Sequence, residues 1–255
     1  MSKKLPILAD KPDTKNYNME NWHEDDMLEK LYRLLDSTEP AQVELAFQLM
    51  LGMGVPYQEQ GIDHKMRNTG YKVGFCLRYG FLEYIKDIDK LYLQNFDFEE
   101  ISPLIGQLRH LQEVELRNNK IAVIPSQIGY LKKLWRLDLE CNALTSLPAD
   151  IGYLRSLVQL NVGQNALETL PDSIGDLMHL RNLKLDSNQL TTLPEEVGDV
   201  ATLELLDVSH NRLSKLPERL FELPRLAYLF LTGNPFSTAQ IRTFREKMPK
   251  TKVVF

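Results

Sequence analysis

The chain has 255 residues, a net charge of −5 and a pI near 5.6. Residues 1–87 carry 11 Lys and Arg against 14 Asp and Glu, and residues 88–255 carry 19 against 21, so neither part offers the basic field that a nucleic-acid backbone requires. No stretch approaches the ~20 apolar residues of a membrane span, and Asp10 cuts the apolar run near the N-terminus before it reaches the length of a signal-peptide core.

Residues 1–22 are polar, broken by Pro6 and Pro12, and are expected to form a mobile arm. From His23 the pattern becomes helical, with Met27, Leu28, Leu31, Leu34 and Leu35 at three- and four-residue spacings. Ser37-Thr38-Glu39-Pro40 reads as a stop and a new start, with Ser37 or Thr38 as cap and Pro40 in the first turn. A second helix through Val43, Phe47 and Met50 to Gly52 predicts an antiparallel hairpin. Residues 57–70 are polar and ambiguous. Residues 71–87 hold Val73, Phe75, Cys76, Leu77, Tyr79, Phe81 and Tyr84, apolar on more than one side, and should be largely buried.

From Ile88 one phrase recurs. Asparagine stands at Asn119, Asn142, Asn165, Asn188, Asn211 and Asn234, in steps of 23 residues. The third copy reads Leu134-x-x-Leu137-x-Leu139-x-x-Asn142-x-Leu144-x-x-Leu147-Pro148-x-x-Ile151-Gly152-x-Leu154. A degenerate first copy starts at Ile88, with Phe96 in place of Asn and Pro103 one position late. About seven copies, the last truncated, fill residues 88–236.

Each part of the phrase has a physical reading. The alternating leucines predict a short strand with one buried face, and stacked copies make a parallel sheet. The Asn amide, both donor and acceptor, is expected to satisfy backbone groups where the chain turns inward. Pro then ends local pairing. The Ile-Gly segment returns as a short helical turn, its glycine relieving crowding or allowing a positive φ. Phe221 replaces that glycine in the sixth copy, so its return segment should differ. The first copy exposes its core and its sheet edge, so residues 23–87 are expected to be a helical N-terminal cap. After Phe236, Ser237 or Thr238 caps a helix through Ile241, Phe244 and Met248, and residues 237–255 should seal the other end.

Residues 88–236 resemble leucine-rich repeat proteins of the 23-residue Leu-Pro-x-x-Ile-Gly-x-Leu type, a class that includes intracellular Ras-group proteins and many bacterial ones. The resemblance implies an α/β solenoid, a curved horseshoe with a parallel β-sheet on its concave face. It also implies protein–protein interaction, usually through that face. Extracellular members often have disulfide-stapled ends. Here only Cys76 and Cys141 occur, which favours a reducing compartment. A soluble, cytoplasmic, monomeric protein with a protein partner and no cofactor is expected.

The frame also says which side chains face the concave surface. The central column is Tyr92, Glu115, Asp138, Asn161, Lys184, Asp207 and Phe230. Arg136, Leu205 and Tyr228 lie on one flank and Arg117 and Glu140 on the other. The mixed charges of the middle copies either pair across strands or meet a partner. Leu205, Tyr228 and Phe230 form an apolar group on a face that should be wet, and are the leading anchors for a partner unless the C-terminal tail folds over them. Trp135 is a second candidate, or packs at the sheet edge.

No phosphate loop, nucleophile elbow or metal spacing occurs, so catalysis is not expected. Both cysteines read as packed thiols. The alternative is a small catalytic or ligand-binding N-terminal domain built on Cys76 and His64, with the repeats as a targeting scaffold. A third reading is a structural protein that self-associates through its solenoid edges.

Overall fold

The computed structural model describes residues 24–53 and 70–255. The expected N-terminal arm, the polar stretch before Gly70 and His64 lie outside the described residues. The chain divides into two compact units between Ile85 and Lys86.

In the first unit, helix α1 spans Glu24–Leu35, α2 spans Pro40–Met53 and α3 spans Gly70–Tyr79, followed by a three-ten turn at Leu82–Tyr84. The break between α1 and α2 falls where the sequence places it. The Ser37 hydroxyl accepts from the Glu39 N–H at 3.0 Å, and Pro40 opens the next helix. Helix α2 packs on both α1 and α3. Phe47 is central, with its ring 5.5 Å from both Phe75 and Phe81. Leu35, Ala46, Phe47, Met50 and Cys76 are fully buried around it.

The second unit is one parallel sheet whose eight strands follow chain order. They are β1 Lys90–Tyr92, β2 Glu113–Glu115, β3 Arg136–Asp138, β4 Gln159–Asn161, β5 Asn182–Lys184, β6 Leu205–Asp207, β7 Tyr228–Phe230 and β8 Lys252–Val254. The middle residue of each strand from Leu91 to Leu229 points inward and is at most 1% exposed. Opposite this sheet, each copy returns through a five-residue three-ten turn, and neighbouring turns stack on one another from Pro103–Gln107 to Glu218–Glu222.

The asparagines hold successive copies together. The Asn188 side chain accepts from the Leu167 N–H at 2.9 Å and donates to the carbonyls of Val162 at 3.0 Å and Leu185 at 3.0 Å. It thus bridges its own copy to the one before. Asn119, Asn142, Asn165, Asn211 and Asn234 repeat the pattern. Where Phe96 replaces Asn, the Oδ1 of Asn119 accepts from the N–H groups of both Phe96 and Phe98, at 3.0 and 3.1 Å. The residue before each asparagine from Asn119 to Asn211 takes the left-handed conformation, with φ of 53–56° at Asn118, Cys141, Gln164, Ser187 and His210. Cys141 is therefore exposed at a turn, which corrects its expected role as a packed thiol.

The sequence left two roles open for the return-turn glycine, and the geometry selects crowding. A Cβ on Gly152 would stand 2.6 Å from the Ser173 carbonyl oxygen of the next copy, while its φ is not positive. At Phe221 the turn still forms, but Leu223 after it is extended at ψ 118°, where the equivalent residues lie at ψ 59–72°. In the first copy the late proline becomes the first residue of the turn. Ser102 takes over as cap, accepting from the Leu104 N–H at 3.3 Å.

The C-terminal segment does more than seal an end. Helix α4 (Thr238–Lys247) opens with a reciprocal capping box between Ser237 and Gln240. It buries Phe244 against the rings of Phe221 and Phe236. Strand β8 then extends the sheet, with Tyr228 opposite Lys252 and Phe230 opposite Val254.

Candidate protein-interaction face

On the concave surface the in-register strands line up the expected columns. Tyr92, Glu115, Asp138, Asn161, Lys184, Asp207 and Phe230 are neighbours across successive strands, as are Arg136, Leu205 and Tyr228 with their equivalents.

The charges of the first three copies are turned towards one another. Arg136 reaches Glu115 at 3.0 Å and Asp138 at 3.8 Å, and Arg117 reaches Glu115 at 3.3 Å. Gln94 donates to Glu115 at 2.7 Å. Glu115 and Asp138 are buried under these partners, so the lattice covers its own carboxylates. Beside it, Lys90 and the Tyr92 hydroxyl both serve Glu113, at 2.7 and 3.0 Å, and the lysine contact first of all holds the Glu113 carboxyl below its ordinary value. Of the candidate contact residues, Glu115, Arg117, Arg136 and Asp138 thus form one internally paired group. Trp135, next to Arg136, is half-buried.

The middle copies are different. Asn161 donates to Glu140 at 3.2 Å, while Lys184 is exposed and forms no ion pair among the described residues. Asp186 leans over Gly163, where a Cβ would stand 2.6 Å from its Oδ1. Burial, then the Asp207 carboxylate and more weakly Glu140, push the Asp186 carboxyl above its ordinary value. A carboxyl raised on folding favours the fold in its protonated form. That contribution is complete below the unfolded value and is lost as pH rises through the folded one. Asp186→Asn is therefore expected to raise the melting temperature at neutral pH, and the difference should vanish in acid. A lowered or unchanged melting temperature at neutral pH contradicts this reading.

At the C-terminal end the face becomes apolar. Tyr228 is 45% exposed and its ring stacks on Phe230, centroids 6.4 Å apart at 10°. Leu205 lies beside Tyr228, and Val254 beside Phe230. Strand β8 sits next to these rings in the sheet and does not fold over them. Val254 belongs to the same patch, although the repeat frame stops before it. The apolar Val253-Val254 behind Lys252 was the available signal. Along the rim, Asn182, Glu204, Leu205, Arg225, Ala227 and Tyr228 line an open depression of about 540 Å³.

Cys76, in the first unit, is buried, and burial followed by Glu83 pushes its thiol up to about 12, away from the range of an activated nucleophile. No cluster of three metal-ligating side chains occurs among the described residues, and no described helix is long and apolar enough to cross a membrane.

A family model described as a leucine-rich repeat region matches residues 91–178 and 168–244. A comparison with curated proteins finds no sequence match. Among solved structures, a leucine-rich repeat protein of Leptospira interrogans is similar at 28% identity and a TM-score of 0.48, over 69% of this chain. The plant peptide hormone receptor RGFR1, solved in complex with RGF2, is similar at 28% identity and a TM-score of 0.55, over 61% of this chain. The chain spans 56% of the length of the first and 26% of the second. With more than half of its residues matched by the family model and its copies stacked as one parallel sheet, the chain belongs to the leucine-rich repeat family.

Proposed function

We propose that this protein is a non-catalytic binding module that takes a protein partner on the concave face of its repeats, anchored at Leu205, Tyr228, Phe230 and Val254. The observation that carries this reading is the stacked pair of exposed Tyr228 and half-buried Phe230 on a face that is otherwise mostly polar. Exposed apolar patches and aromatic residues mark interaction sites better than exposed charge does. The paired lattice around Glu115 and Asp138 orients the partner at the other end rather than supplying affinity, since paired surface charges contribute about 0–1 kcal/mol. The similar receptor, solved with its peptide, supports a protein ligand. The free, buried thiol and the exposed thiol, with no disulfide, support a cytoplasmic setting. The test is to capture a partner on the full chain and map amide hydrogen exchange in the complex. Protection is expected in β6, β7 and β8, and protection confined to residues before Lys86 sinks the proposal.

Residues 23–87 serve on this reading as the cap of the first repeat, because an uncapped solenoid end exposes both core and strand edge. A chain starting at Lys86 is then expected to aggregate or to melt well below the full chain. Equal stability and solubility of the shortened chain argues against the cap.

A further inference from the structure

The lateral edge where the return turns lead into the strands carries a charge reversal that the concave-face reading does not use. Along this edge, in residues 102–156, the first three copies place Arg109, Lys132, Lys133 and Arg155 against the single carboxylate Asp150. These four cations are exposed and form no ion pair among the described residues. In residues 171–202, the next two copies place Asp172, Asp176, Glu195, Glu196 and Asp199 against the single cation Arg181, which Glu204 engages at 3.5 Å. Asp172 and Asp176 are exposed and likewise without an ion pair among the described residues, while Asp199 is bridged to Arg219 at 3.0 Å.

The midpoint of the reversal is apolar. Tyr130, Tyr153 and Met178 are each more than half exposed. Tyr130, Tyr153 and Asp176 lie over Gly106, Gly129 and Gly152 of the copies before them, so they form one continuous column. The Lys132 amine is 4.8 Å from the Tyr153 ring centroid and donates to the Tyr153 carbonyl at 3.1 Å. His179 holds the Arg155 carbonyl at 2.8 Å through Nδ1. The edge thus runs from cations to carboxylates, with the exposed aromatic and thioether side chains of the second to fourth copies interleaved across the boundary.

We propose that two copies of this chain associate through this edge, about a twofold axis near the boundary between the third and fourth repeats. Such an axis lays the cationic half of each edge over the anionic half of the other and brings Tyr153 and Met178 of both copies to the centre. A twofold contact uses the same patch on both partners, so the patch must complement itself. An edge that reverses sign about an apolar midpoint meets that condition and has the apolar core and polar rim of an interface. An acidic protein or a nucleic acid fits less well. Either would be drawn to four cations and repelled by the carboxylates that continue the same edge.

The experiment is sedimentation velocity on the full chain across a concentration series. A monomer–dimer equilibrium is expected at low ionic strength, weakening in about 1 M salt, where the screening length falls to about 3 Å. Lys132→Glu/Lys133→Glu leaves two cations against three carboxylates in the cationic half, and Asp172→Lys/Asp176→Lys/Asp199→Lys leaves two carboxylates against three new cations among the five acidic positions of the other half. Each variant alone should dimerise at least about tenfold more weakly than the original. An equimolar mixture, one variant carrying a mass tag, should recover a heterodimer, because both halves of the contact are again complementary. Circular dichroism confirms that each variant is folded, and recovery on mixing is itself evidence of an intact edge. A chain that stays monomeric at low salt overturns the proposal, as do variants that dimerise like the original and a mixture that stays monomeric. Variants that stay monomeric when mixed but bind a polyanion less well than the original would assign the edge to an acidic ligand instead.

Discussion

Replacing Asn188 with alanine is expected to lower the unfolding free energy of the repeat unit by about 3–5 kcal/mol. The side chain is 8% exposed and links the N–H of Leu167 with the carbonyls of Val162 and Leu185. Alanine removes all of these partners at once and leaves the backbone groups buried. Each unsatisfied buried group costs about 1–3 kcal/mol, and the sum is less than additive because the turn can relax towards water. The loss should be greater than at Asn234, which lies at the end of the ladder and is less buried. Solenoid stability passes between nearest neighbours, so amide exchange should accelerate first at Leu167 and Leu190, on either side of the change. Urea unfolding of the two variants measures this directly. A cost below about 1 kcal/mol at Asn188 would mean that the asparagines do not hold the stack together.

Much of the scaffold was legible in the sequence because it recurs in phase. Leucine alternation fixed which strand residues point inward, and the asparagine period fixed the register of β2 to β7. The ambiguities arose where one residue type serves two physical needs. Glycine in the return turn can supply either a positive φ or space, and only the distance from Gly152 to Ser173 decides for space. The positive φ falls instead on the residue before the asparagine, which is Asn, Cys, Gln, Ser, His or Gly in different copies. With no common side chain there, Cys141 gave no sign of its exposed turn. Strand β8 escaped the period for another reason. It has no asparagine and stands 24 residues after β7 (252 − 228 = 24) rather than 23, so the helix between them breaks the phase.

The candidate interaction face was legible as positions and not as energetics. The repeat frame lists Glu115, Arg117, Arg136 and Asp138 as outward residues, and the structure shows them occupied with one another. Pairing of that kind depends on side-chain reach across strands, which a sequence period does not encode. Tyr228 and Phe230 stood out in the sequence because aromatic residues on an outward column break the polar pattern. Their stacking, and the continuation of the patch into Val254, came from the strand that the period missed.

The repeat divides its labour: Asn, Leu and Gly hold the fold, and in the proposed function the outward residues of the last copies carry recognition. The most direct test is the affinity of the captured partner for Tyr228→Ala/Phe230→Ala, set beside the thermal unfolding of the same variant. Central aromatic anchors contribute about 2 kcal/mol or more each, so Kd is expected to rise by roughly 30-fold or more. The melting temperature should change little, because both side chains are on the solvent side of the sheet. An unchanged Kd, or a loss of affinity that merely follows a loss of folding, would contradict the account.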